Sequence, residues 1–422
     1  MSSDTLVSRR SVLAAGAVLA TAGCARPTDS GPGAELEWAI GGINSADERS
    51  ARDVVAYWSE LHPSEPKVGV EPLSQSTNEQ RQLLALELNA GLRQLDILSL
   101  DLVWIPEFAQ RGWLVDLDGL RPEIEQVSLA GPMRVGVWDA TLWAAPSTTG
   151  VGILYYRSDL VETPPKSWEE LIEVGRRIGA QRGMAPFVAD GAQYEGLVVQ
   201  YLEYFWGLGG EVFGRDGQTV LFQLDKALQA VEFMRSAFRE GVYAPGFNTM
   251  DLEAARKTFQ SGDAVFMRSW PYAYQQMNGG DPSSQVVGNL GIAPLPAFTG
   301  HGPVAALGGH NLAVSAFSRN IPAATEFVRM ASTSRDIQLG QARRHSLAPT
   351  LRTAYHDLAA DPMTALLAKV LPTARPRPST PEWATISAEM QQQIFAAYTG
   401  DRDPRAAVEA LRDFLVATAK ER

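Results

Sequence analysis

The 422-residue chain contains a single cysteine, Cys24, so no intramolecular disulfide can staple it and no thiolate cage can hold a metal. Histidine is also scarce. His62, His301, His310, His345 and His356 offer no i, i+4 pair and no HExxH, so neither a metal site nor a cofactor is expected. Basic charge is in deficit: 37 Lys and Arg stand against 48 Asp and Glu, a net charge of −11, which argues against nucleic acid as a partner. Long apolar runs are missing too. Val12 to Ala20 is well short of the roughly 20 residues that a membrane helix needs, and no later stretch approaches that length. What remains is an ordinary globular composition, 45% hydrophobic and 20% charged, at a length that suggests two or three domains.

The first residues differ from the rest. "SRRSVLAAGAVLATAGC" places Arg9-Arg10 ahead of the apolar run and small residues ahead of Cys24. The pair resembles a twin-arginine export signal, and "TAGC" resembles a lipobox, which makes Cys24 the expected acylation site and membrane anchor. "ARPTDSGPG" then has the composition of a flexible tether.

From Leu36 onward, strand and helix signals alternate. "LEWAI", "KVGVEP" and "LDILSL" read as strands, separated by helices that open on the capping boxes Ser45 with Glu48 and Ser76 with Glu79. This βαβ order predicts a largely parallel sheet with helices on both faces. A third box, Ser167 with Glu170, starts a second α/β region. It continues through the apolar helix "YEGLVVQYLEYFWGLGG", the amphipathic "DKALQAVEFMRSAFREG" and "MDLEAARKTFQSG", and the strands "DAVFMRSW" and "GGHNLAVSA". "GLGGEVFG" has Val212 where a dinucleotide loop needs its third glycine, and reads as a helix end.

Candidate site residues sit where an open α/β sheet presents ligands, beyond the carboxyl ends of strands. Asp101 follows "LDILSL"; its carboxylate can accept hydrogen bonds from ligand hydroxyls or cap the next helix. Trp270 ends "AVFMRSW", where its indole can lie against a sugar ring or fill the core. Gly308-Gly309 ahead of His310-Asn311 allows either a close backbone approach to a ligand or a plain turn. Arg377 can clamp vicinal hydroxyls or remain solvated. With 48 acids, a carboxylate pair able to cleave glycosides also stays open.

"NEQRQLLALEL", "LDILSLDLVWIPEFAQRGWL", "WAAPSTTGVGILYYRSDLV", "PPKSWEEL", "ARKTFQSGDAVFMRSW" and "GGHNLAV" together resemble the extracellular solute-binding proteins of bacterial ABC sugar importers, within the maltose/trehalose-binding group. The "NEQR" and "RPSTP" patterns are similar to those of the mycobacterial trehalose-binding lipoproteins in that group. The resemblance implies an α/β, two-lobed, type II periplasmic-binding-protein-like fold, each lobe a mainly parallel sheet flanked by helices and joined by a hinge near Thr148 to Gly152. It implies a signal peptide over 1–23, a tether over 24–35, one lobe from 36–147 with 304–345, and another from 148–303 with 346–418. It further implies a monomer that is not an enzyme. This monomer would be anchored to the outer face of the cytoplasmic membrane and would carry a disaccharide or small oligosaccharide to a permease. The implied ligand contacts are Asp101, Trp270, Gly309, Arg377, Gln80, Asn78 and Asn311, with Asp251 or Glu253 as an acidic contact. Gly150 stands where the trehalose-binding relatives carry asparagine, so one amide to the sugar would be missing.

Overall fold

The computed structural model describes residues 35–420 apart from 43–44 and 215–216. The expected signal peptide and Cys24 lie outside them. Strand β1 (Leu36–Ile40), a helix over Ser45–Leu61, β2 (Val68–Pro72), a helix over Thr77–Asn89 and β3 (Ile97–Asp101) follow one another as the hydrophobic pattern requires. Ala51, Val54 and Trp58 turn the first helix's apolar stripe into the core, while Leu61 at its end is exposed. Trp38 and Trp58 both meet the ring of Phe327 edge-on, at 5.3 and 5.5 Å. The box expected at Ser76 does not form: its side chain makes no cap bond, and the Glu79 carboxylate instead accepts from the Ser74 hydroxyl. At Ser167 the cap does form, with Glu170 N donating to Ser167 Oγ at 3.1 Å.

A small hairpin, β4 (Val137–Trp138) with β5 (Thr141–Leu142), precedes β6 (Ala145–Val151) and β7 (Ile153–Arg157). Next come β8 (Ala185–Val188), β9 (Ala264–Ser269), β10 (Leu290–Pro294), β11 (Leu307–Val314) and β12 (Ala348–Pro349). They form a six-stranded sheet in the order β12-β6-β11-β3-β1-β2 and a four-stranded sheet in the order β10-β7-β9-β8. The two-lobed α/β architecture is present, but its sheets are mixed rather than mainly parallel. The βαβ crossovers give parallel pairs, β1 with β2 and β3, and β8 with β9. Strands that arrive from the other sheet pair antiparallel: β11 with β3 and β6, and β7 with β9 and β10. The reason is directional. Strands β3 and β6 run toward the junction between sheets and β11 starts from it, so they must oppose.

The chain passes from the first sheet to the second at Gly152, between β6 and β7, and returns through Ala306 into β11. A third segment lies alongside. Gly152 N donates to Ala306 O at 3.3 Å, Leu307 N to Arg375 O at 2.8 Å, and Arg375 N to Ala305 O at 2.9 Å. Beneath this junction Arg268 and Glu203 form a fully buried bidentate pair at 2.7 and 2.9 Å, and Glu203 also accepts from Ala306 N at 3.0 Å. A Cβ on Gly152 would lie 2.3 Å from Glu203 Oε1 and 2.7 Å from Arg268 Nη2, so only glycine lets the crossing strand sit on this pair. The helix over Trp383–Thr399 packs on those over Glu195–Gly207 and Leu224–Arg239, beside the second sheet.

Candidate ligand-binding site

Strands β3, β6, β9 and β11 meet the junction beside a single cavity bordered by residues from both sheets. Gln80, Asp101, Gly150, Asp251, Glu253, Trp270, Gly309 and Arg377 all line it. Asp101, the last residue of β3, accepts from Val103 N at 3.3 Å, so it ties the turn that follows; its Oδ1 also accepts from Arg377 Nη2 at 2.5 Å. Arg377 Nη1 donates to Glu195 Oε1 at 2.6 Å. Glu195 is held in turn by Trp383 Nε1 at 3.0 Å and by the Ser387 hydroxyl. Burial opposes the charge on Arg377, whose side chain is 4% exposed, yet Asp101 and Glu195 outweigh it and raise its pKa above the ordinary range. Arg377 is therefore a buried, paired guanidinium, not the solvated one its Pro-rich surroundings allowed.

Trp270 leaves β9 with the Arg268 guanidinium 4.3 Å from its ring centroid. A Cβ on Gly308 would fall 2.6 Å from Trp270 Cζ3, so β11 passes the indole only because that position is bare. Gly309 has φ +114°, and a Cβ there would be 2.3 Å from Thr148 O. The glycine pair thus lies inside a strand that closely approaches its neighbours, and the plain-turn alternative is replaced by this packing.

Both candidates for the acidic contact, Asp251 and Glu253, border the cavity. Asp251 caps the helix over Leu252–Gln260 by accepting from Ala254 N at 2.8 Å. Glu253 accepts from Tyr272 Oη at 2.6 Å and pairs with Arg256 at 2.8 Å. Among the described residues that line the cavity, Asp47, Asp101, Asp190, Glu195, Asp251 and Glu253 face one guanidinium, Arg377. Carboxylate oxygens accept hydrogen bonds from hydroxyls, and Trp104, Trp270 and Tyr272 supply aromatic wall. The arrangement suits a neutral, hydroxyl-rich guest and repels an anion.

Residues 44–336 match the family model described as bacterial extracellular solute-binding protein, about two thirds of the chain. The chain belongs to that family. A probable ABC transporter-binding protein of Deinococcus radiodurans is 32% identical to this solute-binding protein over 343 residues, 77% of this chain and 80% of that one. The maltodextrin-binding protein MdxE of Bacillus subtilis is 21% identical, covering 85% of each. Among solved structures, maltose-bound MalE3 of T. maritima superposes with a TM-score of 0.84 at 31% identity, over 91% of this chain and 100% of its own. The Deinococcus and Bacillus relatives are both named as binding proteins.

Two expected contacts of the solute-binding protein do not border the cavity. Asn78 donates to Gln391 Oε1 at 3.1 Å, because its helix faces the one over Trp383–Thr399 at that turn. Asn311 is fully buried and donates to Ala144 O at 3.3 Å. His310 lines the cavity while the next residue of β11, Asn311, points to the opposite face and into the core; the register between β6 and β11 slips between the two. Sequence reasoning missed His310, Asp190, Tyr194, Glu195 and Tyr272, all of which line the cavity. The strand-end rule could have found Asp190, two residues past β8, and Tyr272, three past β9. Burial pushes the Asp190 carboxyl up to about 6, although Arg268, 3.7 Å away, opposes the shift. One of its oxygens has no hydrogen-bond partner among the described residues.

Proposed function

We propose that this solute-binding protein captures a disaccharide or small oligosaccharide of the trehalose/maltose type in the cavity and delivers it unaltered to the permease of an ABC importer. The observation that carries the reading is the cavity itself: an indole, Trp270, and several carboxylates from two separate sheets converge on a space between them. Likeness to maltose-bound MalE3 supports it. A guest that touches both units only when they close has differential affinity for the closed form, and so it shifts the open-closed equilibrium. The hinge is the crossing strand over Thr148 to Gly152, with one lobe from 36–147 and 304–345 and the other from 148–303 and 346–418. Asp101, Trp270, Gly309, Arg377, Gln80, Gly150, Asp251 and Glu253 form the ligand-binding set. The protein works as a monomer, anchored through lipidated Cys24 to the outer face of the cytoplasmic membrane.

The excess of carboxylates along the wall disfavours a different solute such as a glycerophosphodiester. Calorimetric titration with maltose, trehalose and glycerophosphocholine tests the reading, and thin-layer chromatography of the recovered sugar tests passivity. Binding of an intact disaccharide, seen also as a raised melting temperature, is the expected result. Failure of both sugars to bind, or release of reducing ends, would refute it.

A further inference from the structure

An unbroken run of polar contacts crosses the junction twice using protein groups alone. It starts at Asn78, on the helix between β2 and β3, which donates to Gln391 Oε1 at 3.1 Å. Gln391 Nε2 donates to Ser387 Oγ at 2.9 Å, one turn earlier on the helix over Trp383–Thr399. Ser387 donates to Glu195, at the start of the helix that follows β8. Arg377 then bridges Glu195 at 2.6 Å and Asp101 at 2.5 Å, returning the path to β3 in the first sheet. Every member except Asn78 and Asp101 is buried, so these bonds face little competition from water. Only the second half of the path borders the cavity; Asn78, Ser387 and Gln391 do not.

We propose that this path is a latch between the two lobes, in which Asn78 and Gln391 are positioning residues that favour closure without touching the solute. The latch rests on the two-lobed, closing mode of action argued above. It gives Asn78 a role at the lobe boundary in place of the sugar contact expected of it. It also makes Arg377 and Asp101 a shared station: two groups of the ligand-binding set are ones the latch aligns. A variant that cuts the outer bond leaves every cavity wall residue in place. Its cost therefore falls on the closing equilibrium, and affinity drops by the fraction of closed form that is lost.

The test is a double-mutant cycle with Asn78→Ala, Gln391→Ala and the pair, folding being checked by circular dichroism. Small-angle X-ray scattering without sugar reads the lobe separation directly, and maltose titration reads the coupling. Each single variant is expected to scatter as a more extended particle than wild type and to bind maltose about two- to tenfold more weakly, the range of one hydrogen bond. The double variant should be no worse than either single. Scattering curves that superimpose on wild type for the folded variants would overturn the latch, as would fully additive losses. The two single changes sit on opposite sides of one bond, so either one that folds decides the matter. If wild type itself fails to bind maltose, the sugar reading falls, while the scattering comparison still tests the latch.

Discussion

Replacing Arg377 with leucine removes the one cation that Asp101 and Glu195 share, and the consequence can be worked from the contacts. The arginine side chain is 4% exposed and its partners 13% and 11%, so solvent does little to screen the change. Stripping one member from a buried ion pair costs about 3–5 kcal/mol. Here the remaining contacts soften the loss: Glu195 keeps Trp383 and Ser387, and Asp101 keeps the Val103 amide. The expected cost is therefore at the low end, about 3 kcal/mol at pH 8. Leucine approximates the apolar stem, so the cost is electrostatic, and acid should relieve it as the bereaved carboxylates take up protons. Each unit by which a carboxyl's pKa rises in the variant returns about 1.4 kcal/mol once pH falls below it. Urea unfolding of wild type and R377L at pH 8 and pH 5 measures both quantities, with maltose titration alongside. A stability gap that is large at pH 8 and clearly smaller at pH 5 is expected, together with at least tenfold weaker sugar binding. A gap under about 1 kcal/mol at pH 8, or one equal at both pH values, would refute the view that Arg377 holds two charges in place.

Trp270→Ala should weaken maltose by at least tenfold while the circular dichroism spectrum persists, since the indole is only partly buried; a wild-type titration would remove Trp270 from the site. Asp101→Ala should do the same by losing a hydroxyl acceptor and freeing Arg377, again read by calorimetry. Gly152→Ala forces the Glu203 and Arg268 side chains apart and should cost about 1–3 kcal/mol in urea unfolding; an unchanged midpoint would mean the junction is more pliant than its packing. Asp190 gives a pH signature. Its carboxyl sits near 6 in the fold against 3.8 for an ordinary aspartate, so the folded chain holds the extra proton between those values. Stability should then fall as pH rises from about 4 to 7, by up to about 3 kcal/mol at 1.36 kcal/mol per unit. Asp190→Asn should flatten that part of the slope and be the more stable protein at pH 8; parallel curves for the two would sink this.

Much of the architecture was legible in the residues. Alternation marked β1, short apolar runs marked β3, β9 and β11, and amphipathic stripes marked the helices over Ser45–Leu61 and Leu224–Arg239, because burial leaves a trace in local order. Strand-end position likewise drew attention to Asp101 and Trp270, both of which border the cavity. The Ser167 cap could be read because donor and acceptor lie three residues apart. At Ser76 the same spacing misled, since Ser74, two residues upstream, competes for Glu79.

The sequence by itself determined that strands and helices alternate, that the charge is acidic, and which strand ends carry polar or aromatic side chains, all properties of neighbours along the chain. Only the tertiary structure decided the rest. Sheet direction depends on which side of the junction each strand enters from, and which face of β11 meets the cavity puts His310 there and sends Asn311 inward. Arg377 meets Asp101 across 276 positions and Asn78 meets Gln391 across 313. No local pattern encodes such pairs, because the energy that selects them arises only when the fold has excluded water from both partners at once.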